Sequence, residues 1–345
     1  MKKWRRGDGR AILSGMPPLP SAPISVDDVL AARERVSPFL TPTPLRSHPA
    51  LDAAIPGVTL LVKHENVQPT GSFKVRNGVA TITALSAAER ARGVVGATTG
   101  NHGLGLAFAG RQLGVSVTIC VPRGNNPEKN AALRAWGATV IEEGDDYDAA
   151  IGVAQRLVES DGKTLAHSTN NVNVLAGAGT MTLEIHEQLG DTDSLDALII
   201  AIGGGSQAVG ALAVTQAVRP GLPVIGVQAS GAPAVHDSWH AREPRRTDRA
   251  ATFAEGVATR ASYPLTLSPL IDGLADFITV TDAEIADAVR VILSTTHHLV
   301  EGAGAIGFAA ARKLAPRLQG KRAGIIFCGA NMDTTVLRRI LNREL

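Results

Sequence analysis

Short β-rich runs alternate with longer amphipathic stretches from Leu60 to the end of the chain, and this alternation limits the fold more than any other feature. Residues 60–62, 93–97, 115–121, 139–142, 197–202, 224–228, 277–280 and 324–328 read as strands. Residues 78–87, 103–113, 127–136, 147–160, 180–189 and 334–345 read as helices. Strands alternating with helices predict an α/β protein whose parallel sheets are covered on both faces. At about 100 to 200 residues per domain, a chain of 345 residues makes two domains the expectation. The strand order places a small domain at 72–165, packed on a larger one built from 23–71 and 166–345, with a ligand in the cleft between them.

The chain before this alternation is different. Residues 1–22 are basic and then rich in Gly, Pro and Ser, with no apolar period, and read as a flexible leader. The apolar part, Ala11-Ile12-Leu13, is too short for an export signal. No stretch reaches the roughly 18 uninterrupted apolar residues of a membrane span. Ser25 with Asp28 three residues on marks a helix start, and Thr41-Pro42-Thr43-Pro44 forces an extended segment after it. Two distant cysteines, Cys120 and Cys328, suit a reducing compartment, so a cytoplasmic location is expected. The net charge is +2 and aromatics make up only 3% of the chain, which argues against nucleic acid as a partner.

In α/β proteins ligands bind at the carboxyl ends of strands. Four loops there carry chemistry. The run 65–78 contains Gly71-Ser72-Phe73-Lys74-Val75-Arg76, with Lys74 between apolar neighbours at a helix start. It is either a snorkelling lysine or one whose amine loses its proton to form a Schiff base. Thr98-Thr99-Gly100-Asn101-His102-Gly103 sets hydroxyls, an amide and free N–H groups at a helix N-terminus, which is either an ordinary cap or a carboxylate cradle. Gly203-Gly204-Gly205-Ser206 lets the backbone close round a phosphate, but it has neither the P-loop Lys-Ser/Thr pair nor the Rossmann spacing. Near the chain end, Cys328 before Gly329-Ala330-Asn331 is a small buried hydrophobe or a neutral partner for a ligand heteroatom. An imine lysine, a carboxylate cradle, a phosphate cup and a neutral hydrogen-bonding tip together match pyridoxal 5'-phosphate and an amino-acid substrate.

The order and wording of these loops resemble the fold-type II pyridoxal-phosphate enzymes, in the threonine/serine dehydratase and serine racemase branch. The likeness runs from about Ile24 to Asp333 and includes Thr43-Pro44-Leu45, Ala254-Glu255-Gly256 and Glu301-Gly302-Ala303-Gly304. It implies two three-layer domains of the tryptophan synthase β-like type, and a homodimer. It also implies that Lys74 holds the cofactor, with Phe73 behind the ring, Asn101 on the ring hydroxyl and Cys328 facing the pyridine nitrogen. Gly203, Gly204, Gly205 and Ser206 would hold the phosphate, Gly256 and Glu301 would edge the site, and Thr98, Thr99, Asn101 and His102 would hold the substrate carboxylate.

The reaction so implied is an α,β-elimination. The substrate amine displaces Lys74, Lys74 removes the Cα proton, the β-hydroxyl leaves, and hydrolysis yields a 2-oxo acid and ammonia. The expected substrate is a β-hydroxy-α-amino acid such as threonine, serine, 3-hydroxyaspartate or phenylserine. The alternative is a racemase, because Thr99 stands where the racemases have their second acid/base. The chain departs from the branch at His167-Ser168-Thr169-Asn170 and at Gly177-Ala178-Gly179-Thr180, so the side-chain pocket differs from the ordinary threonine one. Gln228-Ala229-Ser230-Gly231 offers no carboxylates, so no metal is expected there. With the chain ending soon after the last motif, no regulatory domain and no feedback by isoleucine are expected.

Overall fold

The computed structural model describes residues 22–98, 100–145, 147–190 and 193–345. Among them the strands form two sheets. From edge to edge, the larger consists of Leu45–Arg46 (β1), Thr59–Lys63 (β2), Arg322–Ile326 (β10), Ala197–Ala201 (β7), Val224–Ala229 (β8) and Asp276–Val280 (β9). The smaller consists of Thr139–Glu142 (β5), Val117–Val121 (β4), Val94–Ala97 (β3) and Thr164–Leu165 (β6). Pairing is parallel throughout except that β1 runs antiparallel to β2. Proline-rich residues 41–44 lead straight into β1, and a two-residue edge strand tolerates that direction. Residues in β3, β4 and β8 are buried at every position, as expected of strands covered on both faces. The α/β class and the tryptophan synthase β-like architecture stand.

Local sequence explains most element ends. Ser25 and Asp28 form the expected capping box, with the Ser25 N–H donating to Asp28 Oδ2 at 2.7 Å. The same device starts the helices Ala87–Arg92 at Ser86 and Asp282–Thr296 at Thr281. Three expectations needed correction. The helix expected over 78–87 is Lys74–Thr83, because Ser86 caps a separate helix after it. The helix expected over 180–189 is Val172–Leu189, started by Asn171, whose side chain accepts from the Asn173 N–H at 2.8 Å. Gly177 and Gly179 lie inside this helix, where it touches its neighbours. A methyl at Gly177 would meet Arg76 O at 2.9 Å, and one at Gly179 would meet Gly210 O at 3.1 Å. The terminal helix stops at Leu341 rather than at residue 345.

No helix among the described residues is long and apolar enough to cross a membrane. The helix Lys74–Thr83 lies against both Asn101–Leu113 and Val172–Leu189, where close backbone contact through Gly78, Gly105 and Gly177 locks the three together. The residue that begins this helix is therefore held by the core on two sides.

Candidate active site

Lys74 opens that helix, and the loop before it is tied to the end of β10. The Phe73 N–H donates to Cys328 O at 3.0 Å, and the Ala330 N–H donates to Gly71 O at 2.8 Å. Gly71 has φ +69°, and a side chain there would also meet Asn331 Oδ1 at 2.6 Å, so the turn requires glycine. The Lys74 amine donates to Ser168 O at 3.4 Å and lies 5.0 Å from the centroid of the buried Phe73 ring. Burial lowers its pKa to about 8, against the opposing pull of Cys328 and Glu301. Such a lysine can be neutral near physiological pH, which a snorkelling lysine cannot.

Beside it stands a chain of polar side chains. Asn101 Nδ2 donates to Glu301 Oε1 at 2.8 Å, and Asn331 Nδ2 donates to Asn101 Oδ1 at 2.7 Å. Burial raises the Glu301 pKa, so its proton is held more tightly than usual. Burial, reinforced by Glu301, also drives the Cys328 thiol well above its usual range, so it stands as a neutral group. Gly256 abuts the same carboxyl, since a methyl there would lie 3.4 Å from Glu301 Oε1.

Thr98 is buried, and its hydroxyl accepts from the Gly100 N–H at 3.2 Å. Thr99 lies outside the described residues. His102 is committed elsewhere: its Nε2 is 2.9 Å from Ala166 O, and a carbonyl only accepts, so the proton sits on Nε2. Burial and then Lys74 hold the ring at about 3, and it stays neutral. What Asn101 and His102 offer an anion is their main-chain N–H groups at a helix N-terminus, for which no acceptor is found among the described residues.

Gly203, Gly204 and Gly205 follow β7 and lead into the helix Ser206–Val218, which has no side-chain cap. The glycine run has packing causes of its own. A methyl at Gly203 would meet Gly256 O at 2.6 Å, one at Gly204 would collide with Thr169 Oγ1, and Gly205 has φ +97°. What fits a phosphate here is therefore the set of donors. Among the described residues no backbone acceptor takes the N–H groups of Gly203, Gly204, Gly205 or Ser206, and Gln207 Nε2 is buried with no partner. Free donors at an uncapped helix N-terminus fit a phosphate. Gly204→Ala should push this loop off Thr169 and weaken cofactor retention about tenfold, in line with roughly 1–3 kcal/mol of overpacking strain. Cofactor remaining after dialysis measures it, and undiminished retention would mean that this loop does not hold the phosphate.

A lysine of lowered pKa, a neutral thiol beyond it and a cup of free donors on this pair of sheets fit what a fold-type II pyridoxal-phosphate enzyme needs. The sequence matches the family described as pyridoxal-phosphate dependent enzyme over residues 36–329, and the chain belongs to it. It is a lyase that uses pyridoxal phosphate. The chain is 34% identical over 323 residues to the L-threonine ammonia-lyase of Thermotoga maritima, covering 93% of this chain and 79% of that one. It is 34% identical over 309 residues to the L-threo-3-hydroxyaspartate ammonia-lyase of a Pseudomonas species, covering 90% and 96%. Among solved structures, a threonine deaminase from T.th. superposes with a TM-score of 0.85 at 31% identity, covering 90% of this chain and 99% of that one. Maize serine racemase superposes with a TM-score of 0.86 at 28% identity, covering 94% and 98%.

One buried group of charged residues has no part in the chemistry described above. Two positions after Lys74, the fully buried Arg76 grips two carboxylates at once. Its Nε and Nη2 donate to Glu65 at 2.8 Å each, and its Nη1 and Nη2 donate to Glu184 at 2.7 Å each. Nη1 also reaches Thr180 Oγ1 at 3.3 Å, so all three guanidinium nitrogens have partners. Buried Lys63 completes the quartet, donating to Thr43 O and Glu184 at 2.7 Å and to Gln188 at 3.0 Å. Burial opposes ionisation of Glu65, but Arg76 outweighs it and holds the carboxyl below its usual range. Glu65 and Arg76 fall within the run 65–78 that carries Lys74, while Lys63 and Glu184 lie outside it.

Proposed function

We propose that the chain is an ammonia-lyase that removes the β-hydroxyl and then the amino group of a β-hydroxy-α-amino acid, giving a 2-oxo acid and ammonia. The observation that carries this is Lys74, an amine lowered to about 8 by burial and aimed at a carbonyl beside a neutral thiol. The named activities of the two ammonia-lyase relatives agree with it.

In this reading Lys74 and Phe73 hold the cofactor with Asn101 and Cys328 at its ring, while Gly203 to Ser206 take the phosphate and Gly256 and Glu301 edge the site. The bound cofactor supplies an electron sink for the pair left on Cα when its proton departs. Lys74 takes that proton, which it can do because burial leaves a usable fraction of it neutral. Cys328 presents a thiol rather than a carboxylate, so it does not deliver a proton to the ring end and keeps the sink moderate. The N–H groups of Asn101 and His102, beside Thr98, would orient the substrate carboxylate, which positions Cα for proton transfer to Lys74. The large unit is 23–71 with 166–345 and the small one 72–165, a division supported by the two separate sheets. A homodimer follows the common symmetric default. A cytoplasmic location is supported by the two free, buried cysteines.

The test is 2-oxo acid release across L- and D-serine, threonine, 3-hydroxyaspartate and phenylserine. One strongly preferred substrate is the expected result. Optical inversion outpacing oxo-acid release on every member would replace elimination by the racemase reading.

A further inference from the structure

Gly204 is held from two directions. Thr169 packs against its α-carbon side, and the fully buried Thr266, on the helix Pro264–Gly273, reaches its carbonyl. Thr266 Oγ1 lies 2.7 Å from Gly204 O and 3.3 Å from Tyr263 O. A hydroxyl has one proton to donate, and the shorter contact takes it. The bond to Tyr263 O would be the ordinary back-bond of a threonine to its own helical turn; the shorter bond leaves that turn and fixes a loop 62 residues away in sequence.

A trans peptide points its C=O and the following N–H in opposite directions. With Gly204 O turned to Thr266, the Gly205 N–H is turned the other way, and it finds no acceptor among the described residues. Gly205 itself sits at φ +97°, with Thr266 Cβ 3.0 Å from where a methyl would stand. The peptide is thus pinned on its carbonyl side and free on its donor side.

We propose that Thr266 is a positioning residue for the phosphate end of the cofactor: by holding the Gly204 carbonyl it sets the Gly205 N–H as a fixed donor in the cup. This rests on the reading of 203–206 as the phosphate site. Thr266 touches neither cofactor nor substrate in this account and acts only through the loop.

The experiment compares pyridoxal 5'-phosphate with pyridoxal, which lacks the phosphate, in equilibrium binding to the full chain, its Thr266→Val and Thr266→Ser variants. Thr266→Val keeps the shape and removes the donor; Thr266→Ser keeps the donor. The expected result is a five- to tenfold loss of phosphate-ester affinity in Thr266→Val, about what one hydrogen bond contributes. Pyridoxal affinity should be unchanged, and Thr266→Ser should restore the parent value. The phosphorus resonance of bound cofactor should shift in Thr266→Val and return in Thr266→Ser. Equal losses for both ligands would mean general loosening and overturn the inference, as would full retention of phosphate discrimination in Thr266→Val. If the parent chain itself binds both ligands equally, the phosphate-cup reading fails first, and the two failures are thereby told apart.

Discussion

Lys74→Ala should lower 2-oxo acid release by at least about 10³-fold, because one side chain supplies both the covalent link and the proton transfer at Cα. The fold should survive, since the Lys74 amine makes a single 3.4 Å bond to a carbonyl and sits outside the Arg76 network. Unfolding followed by circular dichroism, beside the activity assay, separates the two effects. Residual turnover above a few per cent of the parent would remove Lys74 from the mechanism. The lowered pKa adds a pH signature in the cofactor-free protein. At pH 7 a lysine titrating near 8 is about one-tenth neutral, whereas one near 10.5 is neutral to less than one part in a thousand. Capture of pyridoxal phosphate should therefore accelerate as pH rises through about 8 and level off above it. A rate still climbing steeply past pH 10 would contradict the burial argument.

Arg76→Met should cost about 3–5 kcal/mol of stability, the usual consequence of removing one member of a buried ion group and stranding its partners. The quartet holds two cations and two anions, so the loss leaves Glu65 without its bidentate partner and Glu184 with only Lys63 at 2.7 Å and the more distant Arg33 at 4.0 Å as cationic partners. Denaturant midpoints measure this, and a change under 1 kcal/mol would mean that the group relaxes or takes in water. A pH dependence accompanies it. The folded-state pKa of Glu65 is depressed below the ordinary 4.5, so its contribution is complete above that value and is lost as pH falls through the folded pKa. In Arg76→Met this acid-side loss should shrink, because the cause of the depression has gone.

The sheets and site loops were legible in the sequence because strand runs are short and continuous in parallel sheets, and because glycine-rich turns punctuate them. The contacts that hold those loops were not. Thr266 lies 62 residues from Gly204, and Glu184 lies 108 residues from Arg76, so neither pairing leaves a local pattern. Helix starts failed where packing overrode propensity: Gly177 and Gly179 look like breakers in one dimension and serve as close-contact points in three. The ring of His102 is held by a pairing of the same long-range kind, since only the fold brings Ala166 O to its Nε2.

The buried quartet also bears on how such chains drift. Arg76 is paired with both Glu65 and Glu184, and Lys63 with Glu184, so a change at Arg76 strands buried charge on its partners. Lys74, two residues away, carries no such structural tie. A descendant that abandoned the chemistry would keep the arginine and lose the lysine, so across lineages Arg76 reports ancestry of the fold while Lys74 alone reports that the chemistry persists.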